Sequence, residues 1–207
     1  MARAIPKPAT DAPRDAIALL KQDHRAVERL FKEFESADDD QLQAIAERVC
    51  QLLTVHAQIE EELLYPQAKE ALEDEEGIEL VNEANIEHQT AKDLIARVEA
   101  MTPEDETFKA TMKVLSEYVK HHVKEEENEL FPTLKKETEL DLKEMGAQLF
   151  ERKMSLMQEM GIEMDTEQAP ARRSATGRSG KSSAAKSRQA HTGGRRSASR
   201  SGRAARH

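Results

Sequence analysis

The sequence predicts an all-α protein, an up-down-up-down four-helix bundle extended by one further C-terminal helix and a disordered basic tail. Three observations carry this expectation. Apolar residues recur at alternating steps of three and four along four separate stretches, which is the spacing of one helical face. Trp is absent and there are only 2 Tyr and 5 Phe, so the apolar content is aliphatic and suits helices better than sheets. The third observation is an internal duplication. The stretch His56-Ala57-Gln58-Ile59-Glu60-Glu61-Glu62-Leu63-Leu64-Tyr65-Pro66 lies over His122-Val123-Lys124-Glu125-Glu126-Glu127-Asn128-Glu129-Leu130-Phe131-Pro132. Each reads His-x-x-x-Glu-Glu-x-x-Leu-aromatic-Pro. Asp23-His24 precedes the first copy by 32 residues and Glu87-His88 precedes the second by 34.

Taken in order, residues 1–10 are Pro-rich and polar and are expected to form a loose arm. In the first helix Asp11 is a capping residue with Pro13 in the first turn, and Ile17, Leu20, His24, Val27, Phe31 and Phe34 form one stripe. The acidic run Asp38-Asp39-Asp40 marks a turn. The second helix carries Ile45, Val49, Leu52, His56, Ile59, Glu60 and Leu63 on a broad face, until Pro66 kinks or ends it, with a short continuation expected as far as Glu73. A turn near Gly77 leads to the third stripe, Val81, Ala84, His88, Ala91, Ile95 and Val98. Thr102-Pro103 reads as a cap followed by Pro at the first helical position. Phe108, Met112, Leu115, Val119, His122 and Glu126 make the fourth stripe, ending near Pro132. Residues 139–160, with Leu140, Leu142, Met145, Leu149, Phe150, Met154, Leu156 and Met157, read as a further helix over an end or side of the bundle. The expected organisation is an arm at 1–10, a four-helix domain at 11–137, the additional helix at 138–162 and a tail at 163–207.

A chain of 207 residues is long enough to bury a substantial core. The lone Cys50 cannot form an intramolecular disulfide, and no stretch approaches the roughly 20 apolar residues of a membrane span. The expectation is a soluble protein of a reducing cytoplasm, without integral membrane association. The net charge of -9 conceals two opposed parts: residues 168–207 carry 11 Lys and Arg and no acidic group, leaving 20 basic against 40 acidic groups before them. There is no Gly-rich phosphate loop, no His-Glu-x-x-His motif and no nucleophile elbow. No catalytic residue is assigned.

The four histidines define the candidate chemistry. A single His on an apolar stripe is ordinarily a core residue, but His24, His56, His88 and His122 lie at matched depth, and Glu60 and Glu126 share the faces of His56 and His122. Burying two carboxylates without partners costs several kcal/mol. A cation removes that cost, because imidazole nitrogen and carboxylate oxygen are its ligands. Six ligands suit a pair of ions, each taking two imidazoles, with Glu60 and Glu126 bridging at about 3.5–4 Å. Iron is the first expectation, and the same donors admit manganese or zinc.

With these residues the chain resembles the hemerythrin-like, HHE cation-binding domains, over about residues 14 to 135. The resemblance implies a four-helix bundle with a non-haem di-iron centre, two iron ions with an oxo or hydroxo bridge. It also implies a role in binding, sensing or detoxifying O2 or a related small oxidant such as peroxide or nitric oxide, or in handling iron. Two departures bear on that role. Where the oxygen carriers place a second His one turn along the third helix, this chain has Lys92. Their fourth-helix acid falls at Glu127, whereas the internal repeat favours Glu126. Reversible oxygen carriage is correspondingly less favoured than sensing, oxidant chemistry or iron handling. Glu61, His121 and Glu127 are additional candidate ligands, with solvated neighbours of the motif as the plainer reading of each; Tyr65 and Tyr118 could approach the site, with packing as the plainer reading of both.

The tail, rich in Arg, Ser, Ala and Gly, cannot bury enough apolar surface to fold. Its charges fit sequence-tolerant contacts to phosphates, so nucleic acid or another polyanion is the alternative partner. Association with the acidic domain of its own chain fits equally well, and anionic lipid fits less well.

Overall fold

The computed structural model describes residues 14–162; the arm expected at 1–10, the capping role of Asp11 and the basic tail lie outside the described residues. Helix α1 spans Ala16–Ser36, α2 Leu42–Ile59, α3 Tyr65–Ala71, α4 Glu75–Glu99, α5 Phe108–Glu125, α6 Phe131–Glu137 and α7 Leu142–Glu159. A π-helical turn, Glu60–Leu64, joins α2 to α3, and a second, Glu126–Leu130, joins α5 to α6. Helix α1 packs on α2 and α5, and α4 packs on the same two, which closes the bundle as a square of antiparallel neighbours.

The stripes read from sequence are the faces that meet. Ile17, Leu20, Val27, Phe31 and Phe34 of α1 are all buried, as are Phe108, Met112, Leu115 and Val119 of α5. Two apolar clusters result. One, around Phe31, Phe34, Val49, Ile95, Phe108 and Met112, fills one end of the bundle. The other joins Leu20, Ile59, Leu64, Tyr65, Leu130 and Phe131 to Met145, Leu149 and Leu156 of α7. Burying each such side chain contributes roughly 1.5–3 kcal/mol. The histidines fall between the clusters, because His24 follows Leu20 by one turn and precedes Val27 on the same stripe.

Pro66 and Pro132 do not end their helices. Each follows a π turn, in which the amide of Tyr65 donates to the Glu60 carbonyl and that of Phe131 to the Glu126 carbonyl, five residues back. The wider turn accommodates a ring that would collide with the preceding helical turn, and helix resumes to Ala71 and Glu137. Its other effect is to bring Tyr65 and Phe131 fully into the core.

Three boundaries differ from the sequence expectation. Asp15 caps α1, accepting from the Ala18 amide at 2.8 Å. Gly77 is not the turn: it lies in the first turn of α4, where its amide donates to the cap Asp74 at 2.6 Å. Thr102 does not start α5, because its amide donates to Asp105 Oδ2 at 2.7 Å while the Asp105 amide donates back to the Thr102 carbonyl at 3.0 Å. That closed turn delays the helix to Phe108.

Helix α7 lies along the side of the bundle, against α1, α2 and the first π turn. Its approach to the start of α1 requires Gly146, since a Cβ there would lie 2.6 Å from both the Ala16 nitrogen and the Asp15 carbonyl carbon. Both contacts are backbone and neither can rotate away. Gly146→Ala is expected to cost about 1–3 kcal/mol and to lower the Tm of the full chain by about 2–4 °C per kcal/mol. An unchanged Tm would show that α7 does not dock so closely.

Candidate metal centre

Helices α1, α2, α4 and α5 each bring one histidine to the middle of the bundle. His24 and His56 face one another, Nε2 to Nε2, at 3.2 Å, and His88 and His122 do so at 3.1 Å. Glu60 and Glu126, the first residues of the π turns, lie between the pairs. Glu60 Oε2 is 3.1 Å from His56 Nε2 and 3.5 Å from His88 Nε2. Glu126 Oε2 is 3.2 Å from His24 Nε2 and 3.5 Å from His122 Nε2. Each carboxylate therefore reaches one imidazole of each pair, the arrangement a bridging ligand requires. The donor atoms of His24, His56, Glu60 and Glu126, and those of Glu60, His88 and His122, gather within 4.8 Å.

A shell of carboxylates fixes the far side of each ring. His24 Nδ1 donates to Glu127 Oε1 at 2.9 Å, His88 Nδ1 to Glu61 Oε1 at 3.1 Å, and His122 Nδ1 to Glu87 Oε2 at 2.8 Å. His56 Nδ1 faces Asp23 Oδ2 at 3.7 Å. An ionised carboxylate only accepts, so the bonded Nδ1 atoms carry the protons and the Nε2 atoms present lone pairs. The repeat is crosswise: the acid before each first histidine serves the second histidine of its own half, and the acid after each inward glutamate serves the other half. Lysines then neutralise three of these outer acids. Lys92 Nζ donates to both Glu61 oxygens at 2.7 and 2.5 Å, Lys21 donates to Glu127 at 3.0 Å, and Lys153 of α7 pairs with Asp23.

Without a cation this interior is electrostatically incomplete. Nε2 meets Nε2 across each histidine pair, a contact that is a hydrogen bond only where one ring carries a second proton. Glu60 is fully buried and neither of its oxygens has a hydrogen-bond donor, and Glu126 Oε2 has none. Burial, then the Glu126 charge, raises the Glu60 carboxyl well above its ordinary range. Burial also opposes charge on Glu126, yet His122 and His24 outweigh it and hold Glu126 ionised. Burial pushes His56 down to about 4, despite the opposing pull of Asp23, and lowers His88. For His122 burial is outweighed by Glu126 and Glu87, and its pKa rises. Imidazoles beside carboxylates that lack donors are the donor set of a divalent or trivalent cation, which would displace any proton held between them, so the residues fit a metal.

All six sequence-predicted ligands thus come together. The three additional candidates stand elsewhere: Glu61 and Glu127 hold Nδ1 atoms one shell out rather than standing solvated beside the motif, and His121 is 58% exposed, beside Glu125 at 3.1 Å. Lys92 is committed to Glu61. Tyr65, for which packing is the plainer sequence reading, is a polar group of the site. Its hydroxyl donates to Glu126 Oε1 at 2.9 Å and lies 3.3 Å from His88 Nε2. Burial and the nearby Glu126 and Glu60 raise its pKa, so the phenol stays protonated. The signal lay in the duplication itself, because the equivalent residue is Phe131, which stacks on His24 with ring centroids 6.0 Å apart. On the side away from the π turns a cavity of about 30 Å³ abuts all four histidines; its exposed wall is mostly aliphatic, from Val27, Leu53, Ala57, Ala91, Ile95 and Val119, and Asp23, Glu87, Lys92 and Tyr118 also line it.

A four-helix bundle with paired histidines and shared glutamates at mid-height defines a bundle-type cation-binding protein. The hemerythrin HHE cation binding domain matches residues 15–134, and the chain belongs to that family. The crystal structure of an HHE cation binding domain-containing protein from Mycobacterium kansasii shares the fold, with a TM-score of 0.61 and 19% identity over 70% of this chain and 88% of that one. A protein of Nostoc sp. named DNA nickase is 29% identical over 142 residues, 68% of this chain but only 39% of the relative. The chain therefore spans well under half of that protein's length.

The Glu60 shift has a definite sign. The unfolded chain ionises Glu60 near the ordinary value of 4.5 and the folded, metal-free chain only at higher pH. Its contribution to stability is fully present below about 4.5 and is lost as pH rises through the folded pKa. Glu60→Gln is expected to raise the Tm of the metal-free protein at pH 7, by about 2–4 °C per kcal/mol recovered, while weakening metal binding. A lower metal-free Tm at pH 7 would contradict the unpartnered carboxylate.

Proposed function

We propose that the chain is a di-iron protein that binds, senses or reduces a small uncharged oxidant, O2 or nitric oxide ahead of peroxide. His24 and His56 would hold one iron, His88 and His122 the other, with Glu60 and Glu126 shared between them. Manganese or zinc satisfies the same donors. The observation that carries the reading is the set of Nε2 lone pairs and donor-free glutamate oxygens facing one another beside an apolar cavity.

Bound iron would supply the electrons and the open coordination positions that oxidant binding requires. The residues of the chain supply the rest. The cavity's aliphatic walls favour a small neutral molecule over an ion, because a charge placed there would lose its hydration. The outer carboxylates keep each imidazole oriented with Nε2 inward, a restraint whose removal typically lowers metal affinity 10–100-fold. Tyr65 holds Glu126 through Oε1, leaves Oε2 for the centre, and keeps one phenolic proton beside His88. Lys92, where a further imidazole would be needed to close the site, is drawn away by Glu61, an arrangement that favours sensing or turnover over reversible carriage.

Elemental analysis of freshly purified protein is expected to give near two irons per chain, and His56→Ala is expected to reduce both the iron and any oxygen-dependent absorbance. Unchanged metal content in that variant would sink the assignment.

A second reading has its own support. The Nostoc relative is named for action on DNA, and residues 168–207 carry 11 cationic side chains and no acid. On this reading the metal-stapled bundle is a scaffold or regulator for a polyanion-binding tail. The full chain should shift duplex DNA in a salt-sensitive manner, and deletion of residues 168–207 should abolish the shift. No shift by the full chain at low salt would end this reading.

A further inference from the structure

The duplicated sequence leads one to expect two similar flanks around the centre, and they differ in chemistry. Corresponding positions are Leu19 and Glu83, Val55 and His121, Ile59 and Glu125, Leu63 and Glu129. On the first flank the four residues are apolar and belong to the cluster that α7 covers, while Lys153 neutralises Asp23. On the second flank the counterparts are acids and an exposed imidazole. Glu87, the counterpart of Asp23, links that surface to the interior. Its Oε2 accepts from His122 Nδ1 at 2.8 Å while its Oε1 faces His121 Nε2 at 3.7 Å. His121 Nε2 also lies 3.1 Å from Glu125 Oε1.

A row of acids on a helix face is ordinarily a solvated surface. Three features set this one apart. The donor atoms of Glu87, His121 and Glu125 gather within 4.8 Å, and an imidazole is among them. Glu125 Oε2 is enclosed and has no hydrogen-bond partner. Beneath them a cavity of about 10 Å³ is lined by Glu83, Glu87, Glu125 and also Glu126, which is 1% exposed with Oε2 free of any donor. Glu87 and Glu125 of the surface cluster and a glutamate of the buried centre therefore share one cavity.

We propose that Glu87, His121 and Glu125 form a second, surface cation site, which captures a divalent metal ion and passes it by way of this cavity to the buried centre. One imidazole and two carboxylates suit ferrous, manganous or zinc ions alike. Exposure leaves water in the remaining coordination positions, so the ion is held weakly enough to move on. Glu83 and Glu129 add negative charge at the mouth, which raises the local cation concentration. The inference rests on the buried centre holding metal.

The test uses the full chain, freed of metal and mixed anaerobically with limiting Co2+, whose visible absorbance reports entry to the centre. A variant combining His121→Gln and Glu125→Gln leaves every proposed ligand of the buried centre and its Nδ1 partners in place. Loading is expected to slow about tenfold or more, with the final cobalt content equal to that of the parent. In a companion titration with Mn2+, followed by electron paramagnetic resonance, the loaded parent should bind one further weak ion and the loaded variant none. An unchanged loading rate with full final content, or no further ion in the loaded parent, overturns this inference alone. A final content that falls along with the rate also overturns it, since the two residues would then belong to the centre itself. A parent that takes up no cobalt at all overturns both this inference and the reading it rests on.

Discussion

The fold depends on one constraint: two carboxylates and four imidazoles converge in the buried middle of the bundle. Glu60 and Glu126 are 0% and 1% exposed, and an unpaired buried carboxylate costs several kcal/mol. Hydrophobic clusters above and below the centre supply the stability that offsets such an interior. The histidines are held from behind by Asp23, Glu61, Glu87 and Glu127, so that the contact between their Nε2 atoms is not relieved by rotating the rings. The bundle maintains an arrangement that is unfavourable by itself and favourable once a cation is present, which is how metal affinity becomes folding stability.

The duplication explains both the order of the centre and its asymmetry. Paired halves place a histidine on each of four helices and an inward glutamate at the start of each π turn, with ring orientation set crosswise between the halves. The two halves then depart from one another. Tyr65 supplies a hydroxyl where Phe131 supplies only a ring, so the two histidine pairs face different surroundings. Helix α7 closes the flank formed by α1 and α2 with apolar side chains and Lys153, whereas the flank formed by α4 and α5 keeps Glu83, His121, Glu125 and Glu129. A centre symmetric in its inner donors is thus asymmetric in its proton supply and its surroundings.

Much of this was legible in the sequence because it depends on period and pairing. Ile17, Leu20, His24, Val27 and Phe31 lie on one stripe and are buried on one face, and His56 and Glu60, four apart, must share a face whatever surrounds them. Features set by tertiary contact were not legible. The Pro after each aromatic residue signalled a kink or a stop, with a short helical continuation after Pro66, and only the bundle determines that the turn before it is π-helical. Thr102-Pro103 has the local form of a helix start, but Asp105 captures the Thr102 amide first. The hydrogen bonds from His24 to Glu127 and from His88 to Glu61 join residues 103 and 27 positions apart, and no local pattern announces them. Gly146 has no distinguishing sequence context, and its role follows from the backbone of α1 lying against it. Tyr65 was within reach, since the repeat alters its aromatic residue at that one position beside the centre.

The central claim is that paired ions complete this interior. The most direct measurement is anomalous diffraction at the iron edge from crystals of the iron-loaded chain. Two peaks about 3.5–4 Å apart are expected, one against Nε2 of His24 and His56 and the other against Nε2 of His88 and His122, with Glu60 and Glu126 between them. A crystal of the loaded chain with no peak in the bundle, and with the histidine rings turned to hydrogen-bond one another, would contradict it.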